Sequence, residues 1–158
     1  MNQIENKKTR RIKEIKKIEK FLRQYKTYKI GLMTLQKQLD YIIPNVTATY
    51  ELIEGTSGTF KLTSSTEKYA IDRIESKRAL MLHEDIEKYR MIIESIDEAV
   101  SELDPIERKF VELRYINRKT IAQTSIELGY SEKHVFNLRN QVMDKLLISL
   151  RGLLIQFD

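Results

Sequence analysis

Cysteine is missing from all 158 positions. Without thiols the chain holds no disulfide scaffold, no thiol nucleophile and no zinc site built on thiolates, and a reducing cytoplasm suits it. Helix breakers are scarce too. Five glycines and two prolines, set against 41% hydrophobic and 32% charged residues, describe a soluble and mainly helical chain. Long apolar runs are absent as well. No apolar stretch follows the basic start and none approaches the ~18 residues of a membrane span, so the chain is expected to be neither secreted nor membrane-embedded. Its length suits one domain of ordinary size plus an appendage.

Charge is abundant but segregated. Residues 1–29 hold 11 basic and three acidic residues, a net of +8, while residues 30–66 carry −1, residues 67–112 carry −5 and residues 113–158 carry +3. Both ends are basic and the middle is acidic. Basic segments release condensed counterions when they meet phosphates, so two basic ends fit a protein that grips a polyanion at more than one place. Lys16, Lys17 and Lys20 are expected to supply affinity for any sequence. The plainer alternative for the first segment is a solvated helical face.

Along the chain, Ile12, Ile15, Ile18, Leu22 and Tyr25 recur at helical spacing, and Tyr28, Leu32, Leu35, Leu39 and Ile42 continue the pattern after a phase slip. This predicts two helices, or one bent helix, within a basic N-terminal region at residues 1–42. Residues 43–66, with Pro44, Gly55, Gly58 and many Ser and Thr, read as a linker or mobile loop. Ser64-Ser65-Thr66-Glu67 then offers a capping box that opens a long central helix over residues 67–103. In that helix Leu82, Ile86, Tyr89, Ile93, Ile96, Val100 and Leu103 alternate four and three residues apart, the seam of a left-handed coiled coil. The seam is expected to join two chains as a dimer, with packing against the N-terminal stripes as the alternative.

Residues 104–158 carry the most specific pattern. Asp104-Pro105-Ile106-Glu107 combines a capping carboxylate, a proline at the first helical position and a glutamate able to reach back to the cap. Thr120-Ile121-Ala122-Gln123 repeats the device, and Ser131 caps a third helix after Gly129, where a turn calls for positive φ. With Leu128, Val135, Leu138, Val142 and Leu146 as the apolar positions, these three starts form a helix-turn-helix pattern, for which an ordinary three-helix packing unit is the alternative. At 100° per residue the last helix buries Val135, Leu138, Val142 and Leu146 and leaves Lys133, Asn137 and Asn140 opposite, with Phe136 on the flank.

Those four side chains are the base-reading candidates. Lys donates to guanine, Asn pairs with adenine through two hydrogen bonds and a ring contacts the thymine methyl. Arg114, Arg118, Lys119, Thr120, Ser131, His134 and Arg139 are the expected phosphate contacts.

Leu103-Asp104-Pro105-Ile106-Glu107-Arg108, Val111-Glu112-Leu113-Arg114-Tyr115, Thr120-Ile121 and Leu128-Gly129-Tyr130-Ser131 through Val135 resemble the promoter-reading C-terminal domain of sigma factors over about 50 residues. Phe21-Leu22-Arg23-Gln24-Tyr25-Lys26-Thr27-Tyr28-Lys29, the polar middle and the long helix before the sigma-like unit resemble the RinA/ArpU-type phage transcription activators. Thr124 and Ser125 depart from the sigma-like pattern, which has an aliphatic residue and Ala there; looser packing of that helix is expected. The resemblance implies double-stranded DNA as a partner, RNA polymerase as a second, and a bacterial host cell as the setting.

Enzyme chemistry finds little support. His83-Glu84 opens like a helical zinc motif, but residue 87 is Glu where a second His is required. Gly55-Thr56-Ser57-Gly58-Thr59 lacks the lysine of a phosphate loop, and the carboxylates between Glu67 and Glu112 alternate with Lys and Arg as on a solvated face. No catalytic residue, metal or cofactor is expected. Leu147, Ile148, Leu150, Leu153, Leu154, Ile155 and Phe157 extend the apolar surface beyond the reading helix, either toward polymerase or as cover for the central helix. The expectation is an all-α protein of N-terminal basic helices, a long central helix and a sigma-like helix-turn-helix unit. Its function would be sequence-specific transcription regulation, as an activator of phage or prophage late genes. A small terminase subunit recognising packaging DNA and a sigma-like polymerase subunit are the alternatives.

Overall fold

The computed structural model describes residues 2–51 and 65–157, with side chains placed for 7–42 and 72–157. Every regular element among the described residues is helical: α1 (Asn2–Glu51), α2 (Ser65–Ser101), α3 (Pro105–Val111), α4 (Ile121–Leu128), α5 (Glu132–Ser149) and α6 (Arg151–Gln156). The protein is all-α. α3 continues into a wide turn over Glu112–Ile116, where the N–H of Asn117 donates to the carbonyl of Glu112 at 2.8 Å, the five-residue step of a π-helix.

α1 is one unbroken helix and passes the expected end of the N-terminal region, running through Pro44 to Glu51. A proline inside a helix removes one N–H donor and generally costs about 3 kcal/mol, and α1 carries that cost across Pro44. The expected linker over 43–66 therefore shrinks at both ends. Its glycines, Gly55 and Gly58, and the cap at Ser64 lie outside the described residues. No helix among the described residues is long and apolar enough to cross a membrane.

The chain forms two compact units, one of Met1–Lys29 with Met91–Asp158, the other of Ile30–Arg90. α1 and α2 contribute to both. In the first unit Ile18 and Leu22 of α1 join Ile96 of α2, Leu103 just beyond its end, Phe110 of α3, Tyr115 of the wide turn, Val135, Val142 and Leu146 of α5, and Leu153 of α6 in one core. Fully buried aliphatics of this kind each stabilise by about 1.5–3 kcal/mol. The basic N-terminal segment is thus a structural member of this unit and no separate appendage. Leu150, Leu153 and Leu154 are also core, so most of the C-terminal apolar surplus is used inside the chain; Ile148 and Ile155 are exposed.

In the second unit Leu39, Ile42 and Ile86 are the buried aliphatics among the described residues. A Cβ at Gly31 would lie 2.9 Å from Cε2 of Tyr89, so the absence of a side chain there lets α1 approach the ring. The seam expected to join two chains is consequently spent within one. Ile86, Ile93, Ile96 and Leu103 are buried, Val100 packs against the first unit's core, Tyr89 meets Gly31, and Leu82 is half-buried. Most of the apolar surface expected to join two chains is thus removed from water within one.

Candidate nucleic-acid interface

Three local devices build the C-terminal surface. At α3, the N–H of Asp104 donates to Oε2 of Glu107 at 3.0 Å, and Nζ of Lys145 donates to the same oxygen at 2.7 Å, tying the helix start to α5. At α4, the N–H of Thr120 donates to Oε1 of Gln123 at 2.9 Å and the N–H of Gln123 donates back to Oγ1 of Thr120 at 3.2 Å, the reciprocal pair expected from their spacing. Gly129 then adopts φ 72° and ψ 30°, and Oγ of Ser131 accepts from the N–H of His134 at 3.3 Å as α5 begins.

Thr124 and Ser125 are buried without loosening α4. Their hydroxyls donate to the carbonyls of Thr120 and Ala122, each at 2.8 Å, which satisfies both polar groups in place.

α5 is divided as its periodicity requires. Val135, Leu138, Val142 and Leu146 are buried, while Lys133, Phe136, Asn137 and Asn140 are all exposed. Phe136 keeps half its surface in water although it is a large apolar ring. His134 is exposed and stacks on Tyr130 with ring centroids 4.4 Å apart.

The expected phosphate contacts divide into engaged and available groups. Arg139 is engaged: its Nε and Nη2 donate to Oε1 of Glu19 at 3.1 and 2.7 Å, and the same oxygen accepts from the hydroxyl of Tyr115 at 2.9 Å. Burial opposes the Arg139 charge, but the Glu19 hydrogen bond and the adjacent Tyr115 outweigh it and its pKa rises. Burial, with the Glu19 carboxylate beside it, pushes the Tyr115 phenol well above its ordinary value. Arg139 is therefore corrected from a phosphate contact to a structural ion-pair member. Lys119 pairs with Glu127. The Thr120 and Ser131 hydroxyls serve as caps.

Arg114 and Arg118 differ. Nη1 of Arg114 donates to the carbonyl of Lys119 at 2.7 Å, and Nη2 of Arg118 donates to the carbonyl of Arg23 at 3.1 Å. Main-chain carbonyls fix both guanidinium groups without neutralising them. Arg118 holds φ 57°, an uncommon left-handed conformation for a residue with a side chain. Both arginines line an open cleft of about 760 Å³ with Lys16, Glu19, Lys20, Arg23 and Gln24 of α1.

Sequence reasoning placed Lys16 and Lys20 among general affinity residues but missed Glu19 and Arg23. A lone carboxylate within the basic run from Lys16 to Arg23 was the available signal. Among the described residues no group of three or more His, Asp or Glu is arranged to hold a metal ion, and His83 is exposed. No protein-family model, curated protein or solved structure matches this chain.

Proposed function

We propose that the protein is a sequence-specific, double-stranded-DNA-binding transcription regulator of the phage-activator kind, working in a bacterial cytoplasm without catalytic chemistry. One observation carries the reading. α5 buries one face in the core and presents Lys133, Phe136, Asn137 and Asn140 on the other, directly after a short capped helix and a left-handed glycine turn. A rigid helix with amide, ammonium and aromatic groups on its free face suits the major groove, where those groups meet base edges. In this reading α4 and α5 are the two helices of a helix-turn-helix, and the sigma-like resemblance makes RNA polymerase the second partner.

The test compares Asn137→Ala with the parent protein on a duplex selected by footprinting across the gene's own neighbourhood and on random duplex. Loss of ~1–3 kcal/mol on the selected site, with relaxed base preference and little change on random DNA, is expected. Equal losses on both duplexes would sink the assignment. Protection at a packaging site instead of a promoter would move the function to terminase-like recognition.

A further inference from the structure

We infer that the cleft between α1 and the turn following α3 is a channel for the phosphodiester backbone of duplex DNA, making α1 a second, sequence-blind grip beside the base-reading helix. This rests on the DNA-binding reading of α5.

The cleft is lined by the cations Lys16, Lys20, Arg23, Arg114 and Arg118, and its one carboxylate is Glu19. Glu19 is already committed. Its Oε1 accepts from Tyr115 and twice from Arg139, which stands outside the lining, so it does not cancel the cleft's charge. Among the described residues Lys16 and Lys20 have no carboxylate partner, and both are exposed.

A neighbouring cleft gives the contrast. That cleft is basic too, but two of its own four lining cations, Arg10 and Arg151, are taken up by its carboxylate Glu14 at 3.1 and 2.8 Å, and Arg151 holds that carboxyl below the usual range. In the α1 cleft the positive charge is assembled and left open.

The two walls also differ in stiffness. Arg114 and Arg118 are anchored through main-chain carbonyls, and Arg118 sits in a left-handed backbone conformation that only a well-determined surrounding structure retains. Fixed guanidinium groups lose little freedom on meeting a phosphate, whereas Lys16 and Lys20 follow it as mobile point charges. An open cleft wider than one phosphate needs, with a fixed wall and a flexible one, suits a continuous strand better than a discrete anion.

Lys20→Gln and Arg118→Gln test the channel, with Arg118→Lys as the charge-keeping control and Asn137→Ala as the readout of base recognition. Binding to selected and random duplex is measured against salt, and contacted phosphates are mapped by ethylation interference. Each Gln variant should weaken both duplexes equally, on the order of several-fold, and reduce the slope of log K against log salt by about 0.9. Interference should be relieved at the same or adjacent phosphates for both variants, and Arg118→Lys should retain the slope. Relief at distant phosphates, or none for Lys20→Gln while Asn137→Ala still loses base preference, overturns the channel and leaves the reading of α5 intact. If the parent protein binds no duplex, both fall.

Discussion

The Glu19 carboxylate is the junction where α1, the π-turn and α5 meet, because one oxygen accepts from Tyr115 and from Arg139. The Tyr115 phenol is raised by burial and then by that carboxylate, so the folded state holds its proton at pH values where the unfolded chain has begun to lose it near 10.0. Between those two points the folded state binds more protons, and stability must fall as pH rises. The contribution is complete below about pH 10 and lost above it. Tyr115→Phe should cost about 0.5–1.5 kcal/mol at neutral pH through the missing hydrogen bond and should remove part of the alkaline decline. Urea unfolding at neutral pH and above about pH 10 checks both, and an unchanged alkaline decline in the variant would argue against Tyr115 as its source.

At the scale of elements, α2 and α5 teach opposite lessons. The heptad spacing from Leu82 to Leu103 identified the buried stripe of α2, but not which helix would cover it. Ile96 is 1% exposed and lies in the chain's own core. Ile96→Asp should therefore destabilise by about 4 kcal/mol or more and reduce helix content, with no change in the mass seen by light scattering at temperatures where it stays folded. A lighter particle with an unchanged melting temperature would restore the interchain seam.

Capping and turn chemistry were legible because they are local: Thr120 with Gln123, Gly129 with Ile126 and Ser131 with His134 each act within four residues. The outward face of α5 followed from periodicity alone. The commitment of Arg139 was not legible, since Glu19 lies 120 residues away in sequence. Nor was the cleft, whose two walls are joined by the Arg118 to Arg23 hydrogen bond across 95 residues. The π-turn escaped for a different reason: Glu112–Ile116 has an ordinary helical composition, and the wide hydrogen bond from Asn117 is set by packing.

For the molecule as a whole, the decisive property is that the unit holding α5 is discontinuous, drawing on Met1–Lys29 and Met91–Asp158. Residues 91–158 expressed alone lack Ile18 and Leu22, both fully buried in the intact protein, and each such loss is worth about 2–5 kcal/mol. The fragment should melt well below the full chain and lose the DNA binding proposed for it, and a peptide of residues 7–29 added in trans should restore part of both. A fragment as stable as the parent would show α1 to be dispensable to the core.

The same discontinuity sets an order of events during synthesis. Ile18 and Leu22 leave the ribosome before the rest of their core, and their partners Val135, Val142 and Leu146 are made more than a hundred residues later. The apolar stripe of α1 must wait, solvated or chaperoned, while the whole of Ile30–Arg90 is translated. The surface proposed to meet DNA is thus assembled only after α5 emerges, and a translation product cut short inside α5 would carry the basic helix without the core that anchors it.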